Sequence, residues 1–268
     1  MSYLYNPVPE PTPPPSPELS SPPPPIENPP WTGWDVFWIA VVTLFSIVFC
    51  IFCTTWIAQH IFYRQLTLMD VAKFPLVTVA AQLVAYMVVL VFMISIVEGQ
   101  RGQRFWSAIR WNWPARPWLF LAGGVVLSIG LQAFAQLLPM PKELPIDSYF
   151  RTAAEAWALS VFGVTMAPLL EELFFRGFLY PVLARRLGLP AAVALTSASF
   201  GLIHAPQLGK AWGPVLVVSL VGVALTLTRA WTKSVASSLL MHITYNGTLS
   251  VLLFVGSDGF RHLERLNQ

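Results

Sequence analysis

The chain has 268 residues and a formal net charge of +3; 55% of its residues are hydrophobic and only 11% are charged, against about 25% charged in an ordinary soluble domain. That balance excludes a disordered chain, a collagen, a coiled coil and an ordinary soluble enzyme, and points to a polytopic membrane protein. The small charge is spread over many short loops, so no nucleic-acid partner is expected.

Residues 1–33 read as a separate tail. Thirteen of the 24 prolines fall in the first 30 positions, with Glu10, Glu18 and Glu27 and no Lys or Arg. Such a segment forms neither helix nor sheet and is expected to be disordered or polyproline II, a solvated tail in preference to an SH3-type ligand. It lacks the basic start and apolar core of a signal peptide. Trp31, Trp34 and Trp38 follow, as expected where a first helix enters the membrane interface.

From residue 34 to 257 the pattern predicts an all-α membrane bundle. A bilayer core of about 30 Å needs roughly 20 apolar helical residues. Stretches free of Asp, Glu, Lys and Arg occur at 36–63, 74–97, 117–141, 187–209, 211–228 and 234–257. A further apolar stretch at 156–184 is interrupted by Glu171, Glu172 and Arg176. Seven spans are expected, with an eighth short or re-entrant segment left open. No stretch shows the sustained alternation of a barrel strand. Residues 258–268 read as a carboxyl-terminal tail.

Arg101, Arg104, Arg110, Arg116, Arg185, Arg186, Arg229 and Lys233 occupy one set of alternate loops. The other set carries Arg64, Lys73, Lys142, Arg151 and Lys210, with Arg261 and Arg265 in the last tail. The positive-inside rule therefore puts the amino terminus in the cytoplasm, by eight residues to seven. Trp106, Trp111, Trp113 and Trp118 surround the arginine loop and read as an interface belt. Cys50 and Cys53 lie inside the first span with no redox-fold context and read as packing residues.

Glu171, Glu172, Arg176, His204 and His242 lie within apolar spans, where ionisable side chains are costly and face a cavity or a partner. Gly188 suits a helix carboxyl cap and Pro190 a helix first turn, which predicts a hairpin near 187–190. Glu171 and His204 stand the same distance, 16 or 17 residues, before and after that turn. Antiparallel arms then place both about 24 Å below it. A second hairpin, turning near 230–233, puts His242 about 15 Å and Asn246 about 21 Å below its own turn, and all four residues share one layer if the turn at Arg185 and Arg186 protrudes by one helical turn. Within helices, Glu172 and Arg176 are spaced to pair, which leaves Glu171 free on another face. Phe200 and His204, and His242 and Asn246, are also four apart, so Asn246 is positioned to hold an oxyanion or orient a water. Two histidines and a carboxylate in a dry layer suit activation of water, by general base or by metal.

These residues read Glu171-Glu172-Leu-Phe-Phe-Arg176, Phe200-Gly-Leu-Ile-His204 and His242-Ile-Thr-Tyr-Asn246. The three motifs, in this order on separate helices, resemble the CAAX protease and bacteriocin-processing family of intramembrane endopeptidases, also called the Abi family, which includes the type II CAAX prenyl endopeptidases. The resemblance covers about 152–255. It implies that Glu171 activates water, that His204, His242 and Asn246 complete the catalytic site, and that Glu172, Arg176 and Phe200 support it. It also implies a peptide or protein substrate, prenylated in some members, and a multi-pass position in a bacterial plasma membrane. Members were first described as metalloproteases, yet the chain has no His-Glu-x-x-His motif. A site that needs no cofactor is the preferred reading; in the alternative, zinc is held by Glu171, His204 and His242. The rival functions are a proton- or cation-coupled transporter and a non-catalytic membrane scaffold. A transporter would show an internal repeat with paired broken helices, which this sequence lacks.

Overall fold

The computed structural model describes residues 27–263. The expectation of a disordered tail falls largely on 1–26, and part of the carboxyl-terminal tail on 264–268, outside the described residues. Ten α-helices follow in chain order: α1 (Gly33–Ile61), α2 (Leu68–Val71), α3 (Pro75–Ile94), α4 (Phe105–Ala108), α5 (Pro117–Ala135), α6 (Ala153–Val164), α7 (Met166–Glu172), α8 (Tyr180–His204), α9 (Trp212–Thr232) and α10 (Val235–Gly256). Among the described residues there is no strand.

The helix starts are written locally. Thr32 and Asp35 close a capping box at α1, with the Thr32 amide donating to Asp35 Oδ2 at 2.7 Å. Thr152 and Glu155 do the same at α6. Pro75 and Pro117 occupy the first turns of α3 and α5, where no amide donor is needed. Ser234 caps α10 by accepting from the Ser237 amide at 3.1 Å.

Among the described residues, six helical elements are long and apolar enough to cross a membrane, and one of them, Ala153–His204, runs for 52 residues. It is not one rod. Gly188 sits at φ 77°, ψ 174°, a region that residues with a side chain avoid. Glu171 and His204 approach to 3.7 Å across this break. A continuous helix would hold them about 50 Å apart. The chain therefore reverses at Gly188, and the expected hairpin is a pair of antiparallel arms. The seven spans read from the sequence and the six elements differ at this one place.

Outer faces of the spans carry large apolar side chains such as Phe45, Val48, Phe49, Val84, Met87, Val126 and Val251, all exposed, as a lipid-facing surface requires. Inside, α9 approaches α8 so closely that a Cβ on Gly222 would come within 3.0 Å of Ser197. Cys50 packs with Ala81 and Ala85 between α1 and α3, and both cysteines are free thiols.

The three basic loops meet at one end of the bundle. The Val235 amide donates to the Arg110 carbonyl at 3.1 Å, Ser234 Oγ bonds the Asn112 carbonyl, and Arg185 donates to the Pro29 carbonyl at 3.1 Å. Trp34, Trp38, Trp106, Trp113 and Trp118 are exposed, while Trp31 is fully buried. Trp31 is thus a core residue and not the interface residue that its neighbours suggested: its indole lies 4.5 Å from the Phe178 ring, and its Nε1 donates to the Phe178 carbonyl at 3.0 Å. Residues 27–33, assigned to the tail by their prolines, are packed against the bundle because Glu27 and Trp31 both find buried partners there.

Candidate active site

Glu171 and Glu172 are the last residues of α7, and the chain passes directly from them into a π-helical stretch, Leu173–Leu179. Such wide turns are rare and gather at functional sites. Glu172 and Arg176 are both fully buried, and Arg176 Nη1 donates to Glu172 Oε1 at 2.9 Å. The other end of the guanidinium donates to the Gly222 carbonyl on α9 at 3.0 Å. Its carbon lies 4.6 Å from the centre of the Phe200 ring, so the aromatic face shares its charge.

Glu172 Oε1 has a second partner, His242 Nδ1 on α10 at 3.0 Å. A carboxylate oxygen accepts, so Nδ1 is the donor in this contact and Nε2 is the ring nitrogen left to face Glu171. That Nε2 lies 3.7 Å from Glu171 Oε2. His204 is held in the same sense: its Nδ1 donates to the Phe200 carbonyl at 2.7 Å, and its Nε2 lies 3.7 Å from Glu171 Oε1. Each imidazole thus turns its Nε2 towards a different oxygen of one carboxylate. The Phe200 ring stands edge-on to His242 at 5.7 Å and packs at 4.9 Å from His204, which fixes both rings in place.

The two carboxylates are unlike. Glu172 has no exposed surface, whereas the side chains of Glu171 and His204 are 18% and 20% exposed and that of His242 is 3%. Glu171 and His204 form the open side of the site, and Glu172 with His242 the closed side. Separations of 3.7 Å exceed a direct hydrogen bond and suit a bridging water.

Six of the seven residues singled out in the sequence converge: Glu171, Glu172, Arg176, Phe200, His204 and His242. Asn246, one turn beyond His242, donates from Nδ2 to the Gly163 carbonyl at 2.7 Å and ties α10 to the end of α6. The contact between Glu172 and His242 was not legible in the sequence, because helical spacing reports only on neighbours within one helix. The donor types are those that zinc accepts, but among the described residues no group of three His, Cys, Asp or Glu side chains has the convergence to hold a metal ion.

Residues 153–248 match the family model of the Rce1-like type II CAAX prenyl endopeptidases, a match consistent with the CAAX protease and bacteriocin-processing family. It begins at the first residue of α6 and takes in every residue of the converged cluster; α1 to α5 lie outside it. No curated protein and no solved structure matches the chain.

Proposed function

We propose that this chain, a multi-pass membrane protein carrying an Rce1-like type II CAAX prenyl endopeptidase domain, cleaves a peptide bond by water that Glu171 activates. The family match supports an intramembrane endopeptidase in general. The observation that carries the specific reading is the placement of His204 Nε2 and His242 Nε2 at 3.7 Å from opposite oxygens of Glu171.

A water seated among these three groups gives its proton to the Glu171 carboxylate as its oxygen attacks the scissile carbonyl carbon. The C=O electron pair moves onto the carbonyl oxygen, and a protonated Nε2 on His204 or His242 donates to that oxyanion. Collapse breaks the C–N bond, and Glu171 returns the proton to the leaving amine. Glu172 holds His242 in orientation through its Nδ1, and Arg176 pairs with Glu172 inside the apolar bundle. Asn246 fixes the helix that carries His242. This chemistry needs no metal and no cofactor.

The substrate is a peptide or protein reached from the membrane. A prenylated carboxyl-terminal motif is the first class to test, and bacterial peptide processing the second. The basic end of the bundle faces the cytoplasm in this reading. The experiment is mass spectrometry of membranes from cells carrying the wild-type chain or Glu171→Gln, with reconstituted protein in nanodiscs assayed on the candidates found. A peptide bond cut only by the wild type supports the proposal; identical peptide profiles refute it.

A further inference from the structure

At the basic end of the bundle, away from the catalytic cluster, lies a second buried charge cluster. Glu27 Oε1 accepts from Arg110 Nη1 and from Arg229 Nη1, each at 3.1 Å. The Glu27 side chain is 3% exposed and that of Arg229 1%. Arg185 adds two donors to the backbone that follows, reaching the Pro29 carbonyl at 3.1 Å and the Trp31 carbonyl at 3.5 Å. Two residues after Pro29, the Trp31 indole fills a slot against Phe178, which is itself backed by Phe105 at 6.2 Å. The pocket is therefore assembled from the loop before α5, the π-helix, α8 and α9, and it grips one irregular segment by a carboxylate, two carbonyls and an indole.

This is how a peptide-binding site is built. Charge-assisted donors take the acidic side chain, a fixed arginine reads the backbone, and an aromatic anchor sits in a desolvated slot. The pocket also holds polar capacity that the segment does not use. Among the described residues, Arg229 Nε and the Tyr180 hydroxyl are buried there without hydrogen-bond partners, and the Arg229 guanidinium lies 5.5 Å from the Tyr180 ring.

We propose that this end of the bundle is a binding site for an acidic, proline-containing, tryptophan-anchored peptide segment, and that residues 27–31 of the same chain are the ligand, held in cis as a clasp. The clasp ties Arg110, outside the Rce1-like segment, to Arg185 and Arg229 within it. The clasp is attached two residues from the start of α1, so its local concentration is of the order of millimolar and it fills the site without help.

The test uses the full chain in nanodiscs and a labelled peptide of residues 27–33. Glu27→Ala removes the carboxylate of the segment in cis but keeps Trp31, which spares the core. The peptide is expected to bind Glu27→Ala at least tenfold more tightly than the wild-type chain, whose site is filled. The same peptide carrying Glu27→Gln should bind Glu27→Ala at least tenfold more weakly. Hydrogen exchange supplies the second readout: in full-length Glu27→Gln, the backbone amides of Asn28 and Trp31 should exchange at least tenfold faster than in the wild type. Equal peptide binding by the two chains, equal binding of the two peptides, binding explained by free acetate or by anionic lipid alone, or unchanged exchange would each overturn the proposal.

Discussion

The Glu172 carboxylate and the His242 imidazole meet at 3.0 Å although 70 positions separate them. Glu172 is therefore more than the ion-pair partner of Arg176: one oxygen serves both, and the second oxygen has no partner among the described residues. Replacing Glu172 strands a fully buried guanidinium and frees a ring that faces Glu171. Glu172→Gln is expected to lower stability by about 3 kcal/mol and also to reduce turnover. Denaturation of the purified protein in detergent and a cleavage assay at a permissive temperature separate the two effects. A variant as stable and as active as the wild type would remove Glu172 from the site.

Glu171 presents the opposite case. It has no ion-pair partner on its own helix, its nearest ring nitrogens are 3.7 Å away, and its side chain is partly exposed. Glu171→Gln is nearly isosteric, so expression and melting temperature are expected to stay close to the wild type. Cleavage should fall by at least 100-fold, the low end of what a positioned proton acceptor contributes. Residual cleavage within a few fold of the wild type would assign the base elsewhere.

Gly188 makes the approach of Glu171 to His204 possible, because the chain reverses there. Its φ of 77° with ψ of 174° belongs to glycine alone, so Gly188→Ala is expected to cost about 2 kcal/mol. No atom lies within 4 Å of the added Cβ, so the loss would come from the backbone and not from a clash. Gly99 is likewise open and has no positive φ, so Gly99→Ala is the control, expected to change the melting temperature little.

Much of this site was legible because membrane helices restrict what a sequence can mean. Ionisable groups are rare enough in an apolar span that their positions along two arms give depth, and the equal arms around Gly188 placed Glu171 beside His204. The pairing of Glu172 with Arg176 followed from spacing alone. What stayed hidden involves contacts between elements. The π-helix at Leu173–Leu179 has no compositional signal, since its residues also suit an α-helix. Arg110 and Arg229 read as ordinary loop cations, and Glu27 as one acid in a proline tail, because charge counting does not show which charges are brought together. Trp31 read like its neighbours Trp34 and Trp38, and only the Phe178 carbonyl that its indole reaches sets it apart.

Asn246 stands between catalysis and scaffolding. Its Nδ2 donates to the Gly163 carbonyl at 2.7 Å, which anchors α10 and so the depth of His242. Asn246→Ala is expected to cost about 1 kcal/mol of stability through that bond. If the bond only anchors α10, Asn246→Leu, which keeps the approximate shape but carries no donor, should reproduce the loss and leave turnover per folded molecule unchanged. If turnover falls with either variant while the fold is retained, Asn246 also acts on the reacting groups.

The last prediction decides how water is activated. Both histidines present Nε2 to a single carboxylate, the arrangement on which the proposed metal-free activation of water by Glu171 rests. A metal-free site is expected to keep its activity in a strong chelator and to purify with far less than one zinc per chain. A zinc site would behave differently, because its ligands must be deprotonated to hold the ion: chelation would abolish activity, and added zinc would restore it. Metal analysis of the purified protein, followed by assays with chelator and with chelator plus excess zinc, distinguishes the two. Stoichiometric zinc with chelator-reversible activity would recast Glu171, His204 and His242 as ligands. The general base would then have to be another group, and the closed-side Glu172 would be the first to test.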